Sequence, residues 1–161
     1  MYALREIEEG EEIETSYIPL LKSWKERQAR LKQYGFACGC EVCAKEGRER
    51  EESDKMRRRI GEGLEELRGK VEREVWKEGV LERLVGKAEL LVKRVQEEGL
   101  VEYEAEALVL VRAFCLKAER QDEAAGWARR EEVVRALVGV ESEELREIRG
   151  FLRKIEGKKA G

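Results

Sequence analysis

The chain of 161 residues contains no histidine and only one proline, Pro19. The absence of histidine excludes catalytic triads and metal sites that depend on an imidazole side chain. No apolar run reaches the length of about 18 residues at which a membrane-spanning helix is expected. The first residues also lack an apolar stretch of signal-peptide length. We therefore expect an intracellular protein with no membrane partner, and the sequence does not distinguish nucleus from cytoplasm.

An excess of charge of one sign is also missing. The chain has 33 Lys and Arg residues against 36 Asp and Glu residues, which gives a net charge of −3 although 43% of all residues are charged. A high and balanced charge is typical of solvated helix surfaces. Proteins that bind nucleic acid by bulk charge carry a clear basic excess instead. We therefore predict no nucleic-acid partner on the basis of overall charge.

The composition changes near residue 45, and we predict two domains, 1–45 and 46–161. The first part carries the proline, most turn signals and three of the four cysteines, whereas the second is dominated by helix-forming residues. In the second part, apolar residues recur at steps of three and four, which predicts amphipathic helices. Five such stripes run over residues 56–75, 81–95, 103–118, 124–138 and 145–155. Short breaks between them favour antiparallel helical hairpins.

Glycines mark the breaks between the predicted helices. Gly79, Gly99 and Gly139 stand between stripes, where helices commonly end. Ser142 is a candidate N-cap for the last helix. The first stripe contains three further glycines, each of which costs about 1 kcal/mol relative to alanine inside a helix. We therefore expect the first long helix to be the least secure of the five.

The first domain has weaker signals. Ala3–Ile7 and Glu12–Ile18 have strand-like patterns, and Lys25–Gln33 is typical of a short helix with Ser23 as its N-cap. Two short strands bury too little apolar surface to be stable alone. We therefore expect residues 1–45 to be weakly attached to the rest of the chain.

The most informative feature is a cluster of three cysteines, Cys38, Cys40 and Cys43. Thiolates are soft ligands that suit zinc, and in a reducing compartment a tight cluster is more typical of a metal site than of disulfides. A closed zinc site needs four ligands. Cys115 lies in an apolar stripe, and we predict it to be a core thiol. The fourth ligand would come from elsewhere, from a partner or from water; alternatively, the three thiols bind no metal.

The cluster ends an ordered series of motifs, which comprises GEEIETSYI at residues 10–18, ERQARL at 26–31 and YGFACGCEVC at 34–43. This series resembles the C-terminal end of a SET domain followed by its cysteine-rich post-SET segment. The similarity is greatest to the branch that includes SET-and-MYND proteins and many fungal SET proteins. The resemblance covers about residues 3–45. It includes the three cysteines for which the spacing already suggests a metal site.

The resemblance implies a protein-lysine methyltransferase that transfers a methyl group from S-adenosylmethionine to a lysine of a protein substrate. It implies that Tyr17 is the catalytic tyrosine and that Phe36 packs on the adenine of the cofactor. It also implies that Cys38, Cys40 and Cys43 are zinc ligands. Together with the helical stripes, the resemblance predicts a mainly α fold: a short β remnant of a SET domain and a post-SET loop, followed by an antiparallel bundle of about five helices, which is loosely tetratricopeptide-like at Ala113–Leu137.

The chain lacks two elements that the family uses upstream of these motifs, namely the glycine-rich cofactor motif and an Asn-His-Ser-Cys segment that holds the fourth zinc cysteine. We therefore expect a fragment of a SET enzyme that is inactive alone. One alternative is a helical protein-interaction module with a relic SET tail, so that a protein partner binds the helical domain. Another is a zinc-binding scaffold completed by a partner's thiolate.

Overall fold

The structure is a computed structural model that describes residues 8–10, 16, 18–77, 79–137 and 142–159. The described residues form seven α-helices and no strand. The helices are α1 Trp24–Leu31, α2 Glu41–Ala44, α3 Gly47–Val71, α4 Val80–Glu97, α5 Val101–Lys117, α6 Gln121–Ala136 and α7 Glu143–Lys159. A 3₁₀ turn, Lys32–Tyr34, extends α1. The protein is therefore mainly helical, as predicted, and none of its described helices is long and apolar enough to cross a membrane.

The five predicted helices of the second part correspond to α3–α7. Each of these helices packs against the helix that follows it in the chain, and α3 also contacts α5. Connections of three residues join α4 to α5 and α5 to α6, so these pairs form helical hairpins. A tetratricopeptide-like arrangement is not confirmed.

The largest apolar core lies between α3, α4 and α5. Phe114 is fully buried there, and its ring meets that of Trp76 edge to face at 6.4 Å. Cys115 is also fully buried, which confirms the prediction of a core thiol. Other core side chains are Ile60, Leu64, Leu67, Val85, Leu91, Val92, Val95, Leu108 and Val111. A smaller cluster between α6 and α7 includes Ala128, Ile148 and Leu152.

The first predicted stripe extends too far towards the C-terminus. Helix α3 ends at Val71, and Val75 is 88% exposed in the connection to α4. Gly79 does not end α3 but begins α4 as its N-cap with φ of +69°. Gly99, with φ of +63°, does follow the end of α4, where the Leu100 N–H donates to the Val95 carbonyl. Gly139 lies outside the described residues.

Helix α3 is continuous despite its three internal glycines. A Cβ atom at Gly63 would lie 3.2 Å from Cδ1 of Leu91, so the missing side chain allows α4 to approach closely. A Cβ atom at Gly69 would meet nothing within 4 Å. The low helix propensity of Gly63 is therefore offset by packing that the sequence pattern does not reveal.

Most residues of the two predicted strands lie outside the described residues. Ala3–Ile7 lies outside the described residues, and of Glu12–Ile18 only Ser16 and Ile18 are described, neither of them in a strand. Tyr17 is also outside the described residues.

The expectation of weak attachment is wrong for residues 18–45, which are fastened to the helices by Arg57 of α3. This buried guanidinium donates to the Leu20 carbonyl at 2.8 Å and to Oε2 of Glu98 at 3.1 Å. The hydroxyl of Ser53 donates to the same Glu98 oxygen at 2.8 Å. Burial lowers the pKa of Arg57, and the charge of Arg27 acts in the same direction. Helix α3 thus supports residues 18–45 through polar contacts.

Candidate metal centre

Helix α1 leads the chain into the cysteine segment, residues 36–46, and begins with the predicted N-cap, Ser23. The Glu26 backbone N–H donates to the Ser23 hydroxyl at 3.4 Å, and the Ser23 backbone N–H donates to the Glu26 carboxylate at 2.9 Å. The Ser23 hydroxyl also donates to the Glu26 carboxylate at 2.6 Å, and the two hydrogen bonds that Ser23 donates to this carboxylate lower the pKa of Glu26. After α1 and its 3₁₀ turn, Gly35 adopts φ of +83°, a conformation that favours glycine. The turn directs the chain into the cysteines.

The sulfur atoms of Cys38, Cys40 and Cys43 all lie within 4.8 Å of one another. Cys40 is the N-cap of α2, where its carbonyl accepts from the Ala44 N–H at 2.8 Å. Cys43 therefore comes three residues later on the same short helix. Cys38 and Cys40 are half-buried, and Cys43 is buried. The structure thus brings together the three thiols that the spacing singled out.

The thiols differ in acidity. Burial raises the pKa of Cys43 to about 11, and the charge of Cys40 is the next cause of the increase. Burial also opposes ionisation of Cys40, but hydrogen bonds from the Cys43 backbone and from the Cys38 thiol outweigh it and lower the pKa of Cys40. Cys40 therefore loses its proton before Cys43 does.

The cluster fits three of the four ligands of a structural zinc site. Zinc–sulfur bonds of about 2.3 Å in a tetrahedral site place the sulfurs roughly 3.8 Å apart, so only a small closure of the cluster is needed. No further cysteine or carboxylate joins this group within the part of the chain that the structure describes. Soft thiolates favour zinc over magnesium or calcium.

The candidate cofactor residue Phe36 lies just before the cysteines and is 42% exposed. The neighbouring Tyr34 is 58% exposed. Both aromatic rings therefore present apolar surface beside the cysteine cluster. The candidate catalytic residue Tyr17 lies outside the described residues, so its assignment depends on the sequence alone.

Two side chains of α1 that the sequence pattern does not single out hold the cysteine segment. The amide of Gln28 donates to the Cys38 carbonyl at 2.9 Å and accepts from the Cys38 N–H at 3.1 Å. The indole N–H of Trp24 donates to the Cys43 carbonyl at 3.0 Å. Trp24 and Gln28 are four positions apart and share one face of the helix. The four-residue spacing of Trp24 and Gln28 on a predicted helix directly upstream of the cysteines is the signal that could have identified these two residues.

Comparison with known proteins finds two histone-lysine methyltransferases that are similar to parts of the chain. The histone-lysine N-methyltransferase set5 of Schizosaccharomyces pombe is 47% identical over 60 residues, which are 37% of this chain and 19% of that protein. The histone-lysine N-methyltransferase ATXR2 of Arabidopsis thaliana is 51% identical over 41 residues, 26% of this chain and 9% of that protein. No family model matches the chain, and no solved structure matches it.

These similarities agree with the resemblance to a SET domain. Part of the chain is similar to SET-related histone-lysine methyltransferases, and the Cys38, Cys40 and Cys43 cluster is consistent with a post-SET cysteine segment. The chain spans less than a fifth of the length of either relative. The similarity therefore supports a relation to part of such an enzyme.

Proposed function

We propose that the chain is the C-terminal part of a SET-type protein-lysine N-methyltransferase. The observation that carries the proposal is the convergence of the Cys38, Cys40 and Cys43 sulfurs within 4.8 Å. The partial similarity to two histone-lysine methyltransferases supports it. Residues 1–45 would be the end of the SET domain with its post-SET segment, and residues 46–161 a helical domain that follows it.

Each candidate site residue has a proposed role. S-adenosylmethionine, when bound, supplies the methyl group for an in-line transfer to a lysine amine. The Tyr17 hydroxyl would orient that amine by a hydrogen bond, since alignment of the reacting groups dominates such a reaction. The exposed ring of Phe36 would pack on the adenine of the cofactor. The three cysteines would hold a structural zinc ion that keeps residues 36–43 folded beside the active site.

We propose that this chain alone does not transfer methyl groups, because its sequence lacks the glycine-rich cofactor motif and the Asn-His-Ser-Cys segment of the family. In a longer protein that contains it, the substrate would be a protein lysine. Histones are the first substrates to test, because both relatives are histone-lysine methyltransferases.

The proposal is tested with radiolabelled S-adenosylmethionine and purified histones. The 161-residue chain is expected to give no transfer, and a longer protein that includes the upstream SET motifs is expected to give transfer. Substitution Tyr17→Phe in the longer protein should reduce the rate strongly, whereas Tyr34→Phe is the matched control. Transfer by the 161-residue chain would contradict the proposed inactivity, and an unaffected Tyr17→Phe variant would contradict the role of Tyr17.

A second candidate function is a protein-interaction module, and one observation favours it. Val133 and Leu137 lie one helical turn apart at the end of α6 and are 62% and 47% exposed. Contiguous exposed apolar surface is a feature of protein–protein interaction sites. The double variant Val133→Asp and Leu137→Asp should retain its helix content and lose binding of a protein partner in quantitative co-purification. Unchanged binding of every co-purified protein would contradict this function.

A further inference from the structure

Two side chains on one face of α1 form hydrogen bonds with the backbone of the first and the last cysteine of the cluster. Gln28 makes a two-way pair with the N–H and carbonyl of Cys38, and Trp24 binds the carbonyl of Cys43. Cys40 lies between these two attachment points. The backbone that carries all three sulfurs is thus constrained at its first and last cysteine by a single rigid helix.

Helix α1 is in turn fastened to α3. The Trp24 backbone N–H donates to Oδ1 of Asp54 at 2.7 Å, and the same oxygen lies 3.5 Å from the buried guanidinium of Arg27. The guanidinium of Arg50 lies 4.1 Å above the Trp24 ring and donates to the Lys45 carbonyl at 2.7 Å. Helix α3 therefore supports both the helix that holds the cysteines and the chain that leaves them.

Such support matters for a thiolate site. Three thiolates at this separation repel one another, and ordering the loop that carries them costs conformational entropy. A ligand loop that is already held in place avoids part of that cost, so its metal affinity is higher. Hydrogen-bond partners outside the ligand set commonly change metal affinity by roughly 10- to 100-fold.

We propose that Trp24 and Gln28 are positioning residues of the cysteine site, and that metal binding there is thermodynamically coupled to the packing of α1 on α3. This inference depends on the proposed zinc site but not on methyl transfer. Linkage is reciprocal: if the packing of α1 on α3 raises metal affinity, a bound metal stabilises that packing by the same factor. Neither residue contacts the reacting atoms, so neither is a catalytic residue.

The test is a titration of the full 161-residue chain with Co²⁺, followed by displacement with Zn²⁺. Cobalt–thiolate charge-transfer absorption reports the bound ion directly. The variant Gln28→Ala is expected to bind Co²⁺ roughly tenfold more weakly than the wild-type chain. The matched control is Gln33→Ala, because Gln33 is an exposed residue of the same type in the adjoining 3₁₀ turn.

A second variant covers the case in which Gln28→Ala fails to fold. Trp24→Phe retains an aromatic ring beneath Arg50 and removes the indole N–H that binds the Cys43 carbonyl, and Trp127→Phe is its control for the smaller ring. It is expected to weaken Co²⁺ binding several-fold, whereas Trp127→Phe on α6 should not change it. Hydrogen exchange measured with and without Zn²⁺ should also show that the ion protects α1 and the Asp54 turn of α3.

The outcomes separate the two proposals. If the wild-type chain binds no Co²⁺ at its thiols, the three cysteines do not form a metal site by themselves and this inference is wrong. If the wild-type chain binds Co²⁺ but Gln28→Ala and Trp24→Phe bind it as tightly as their controls, the zinc site stands and the positioning role is wrong. A purely structural role would lower thermal stability without changing the Co²⁺ dissociation constant, and that result would also overturn the inference.

Discussion

The cysteine-bearing region, residues 18–46, and the helical region, residues 47–159, are stabilised in different ways. The helical region is held by an apolar core in which Phe114 and many aliphatic side chains are fully buried. In the cysteine-bearing region only Leu31 and Cys43 are buried apolar residues. Its position depends on hydrogen bonds and ion pairs to α3, together with the partly buried Leu20 and Leu21, which pack against the helical core. The helical region should therefore be sensitive to lost volume, and the cysteine-bearing region to single lost polar groups.

The boundary between the two regions is made of buried polar side chains. Arg27, Ser53 and Arg57 are buried, and every buried side-chain nitrogen or oxygen of the described residues has a hydrogen-bond partner. Burying charge is costly unless partners compensate for lost hydration. The boundary is therefore geometrically demanding, because Arg57 reaches the Leu20 carbonyl and Arg27 reaches Asp54 only when both regions are in place.

The largest effect is expected from a cavity in the helical region. Phe114→Ala should lower the free energy of unfolding by about 4 kcal/mol, since the ring is fully buried against Trp76. Urea denaturation measures the change, and Val133→Ala on the exposed face of α6 is the control. A loss below about 1 kcal/mol would contradict the view that this core dominates the stability of the helical region.

A somewhat smaller effect is expected at the polar boundary. Arg57→Ala should cost about 3 kcal/mol, because it leaves Glu98 and the Leu20 carbonyl without their buried partner. Hydrogen exchange should become faster throughout residues 20–45 before it does so in α5. The control is Arg58→Ala, the exposed neighbour on α3. An equal loss of hydrogen-exchange protection in both regions would show that the two regions do not open independently.

Helix caps allow a matched comparison of the two regions. Ser23→Ala removes the capping box of α1, and Ser142→Ala removes the hydroxyl that accepts from the Leu145 N–H at 3.2 Å in α7. Each should cost about 1 kcal/mol. Only Ser23→Ala should also speed hydrogen exchange at the Cys38 amide, which α1 holds. An effect of Ser142→Ala on that amide would contradict the separate stabilisation of the cysteine-bearing region.

The smallest effects are expected at the glycines of α3. Gly69→Ala should stabilise the protein by up to about 1 kcal/mol, since the added methyl group meets nothing within 4 Å. Gly63→Ala should gain less, because its Cβ would press on Leu91 at 3.2 Å. Urea denaturation of the two variants gives the difference. A larger gain for Gly63→Ala would show that α4 adjusts freely to the added methyl group.

Much of the helical region could be predicted from local pattern. The stripes at residues 81–95, 103–118 and 145–155 correspond to α4, α5 and α7, because apolar residues at steps of three and four must share a buried face. The same rule failed at Val75. This residue continues the apolar spacing of the first stripe, although α3 ends at Val71 and Val75 is exposed. The role of Gly79 was also missed, since a glycine between helices can end one or begin the next.

The candidate site was predictable only in part. The spacing of Cys38, Cys40 and Cys43 identified the thiols, because three cysteines in so short a segment converge in few alternative ways. The exposed position of Phe36 also agrees with its proposed role but does not test it. Trp24 and Gln28 were not identified from the sequence, because their role depends on the backbone atoms of Cys38 and Cys43 with which they form hydrogen bonds in the folded chain. The role of Tyr17 remains a prediction.

The sequence by itself determined the mainly helical class, the core position of Cys115, the N-cap Ser23 and the cluster of thiols, because each follows from residue type and short-range spacing. Only the tertiary structure decided that α3 supports the cysteine-bearing region through Asp54 and Arg57. Those contacts join residues 30 and 37 positions apart. A charged side chain in a charge-rich helix does not show from sequence alone whether it lies in solvent or holds a distant carbonyl, since that depends on how the helices pack.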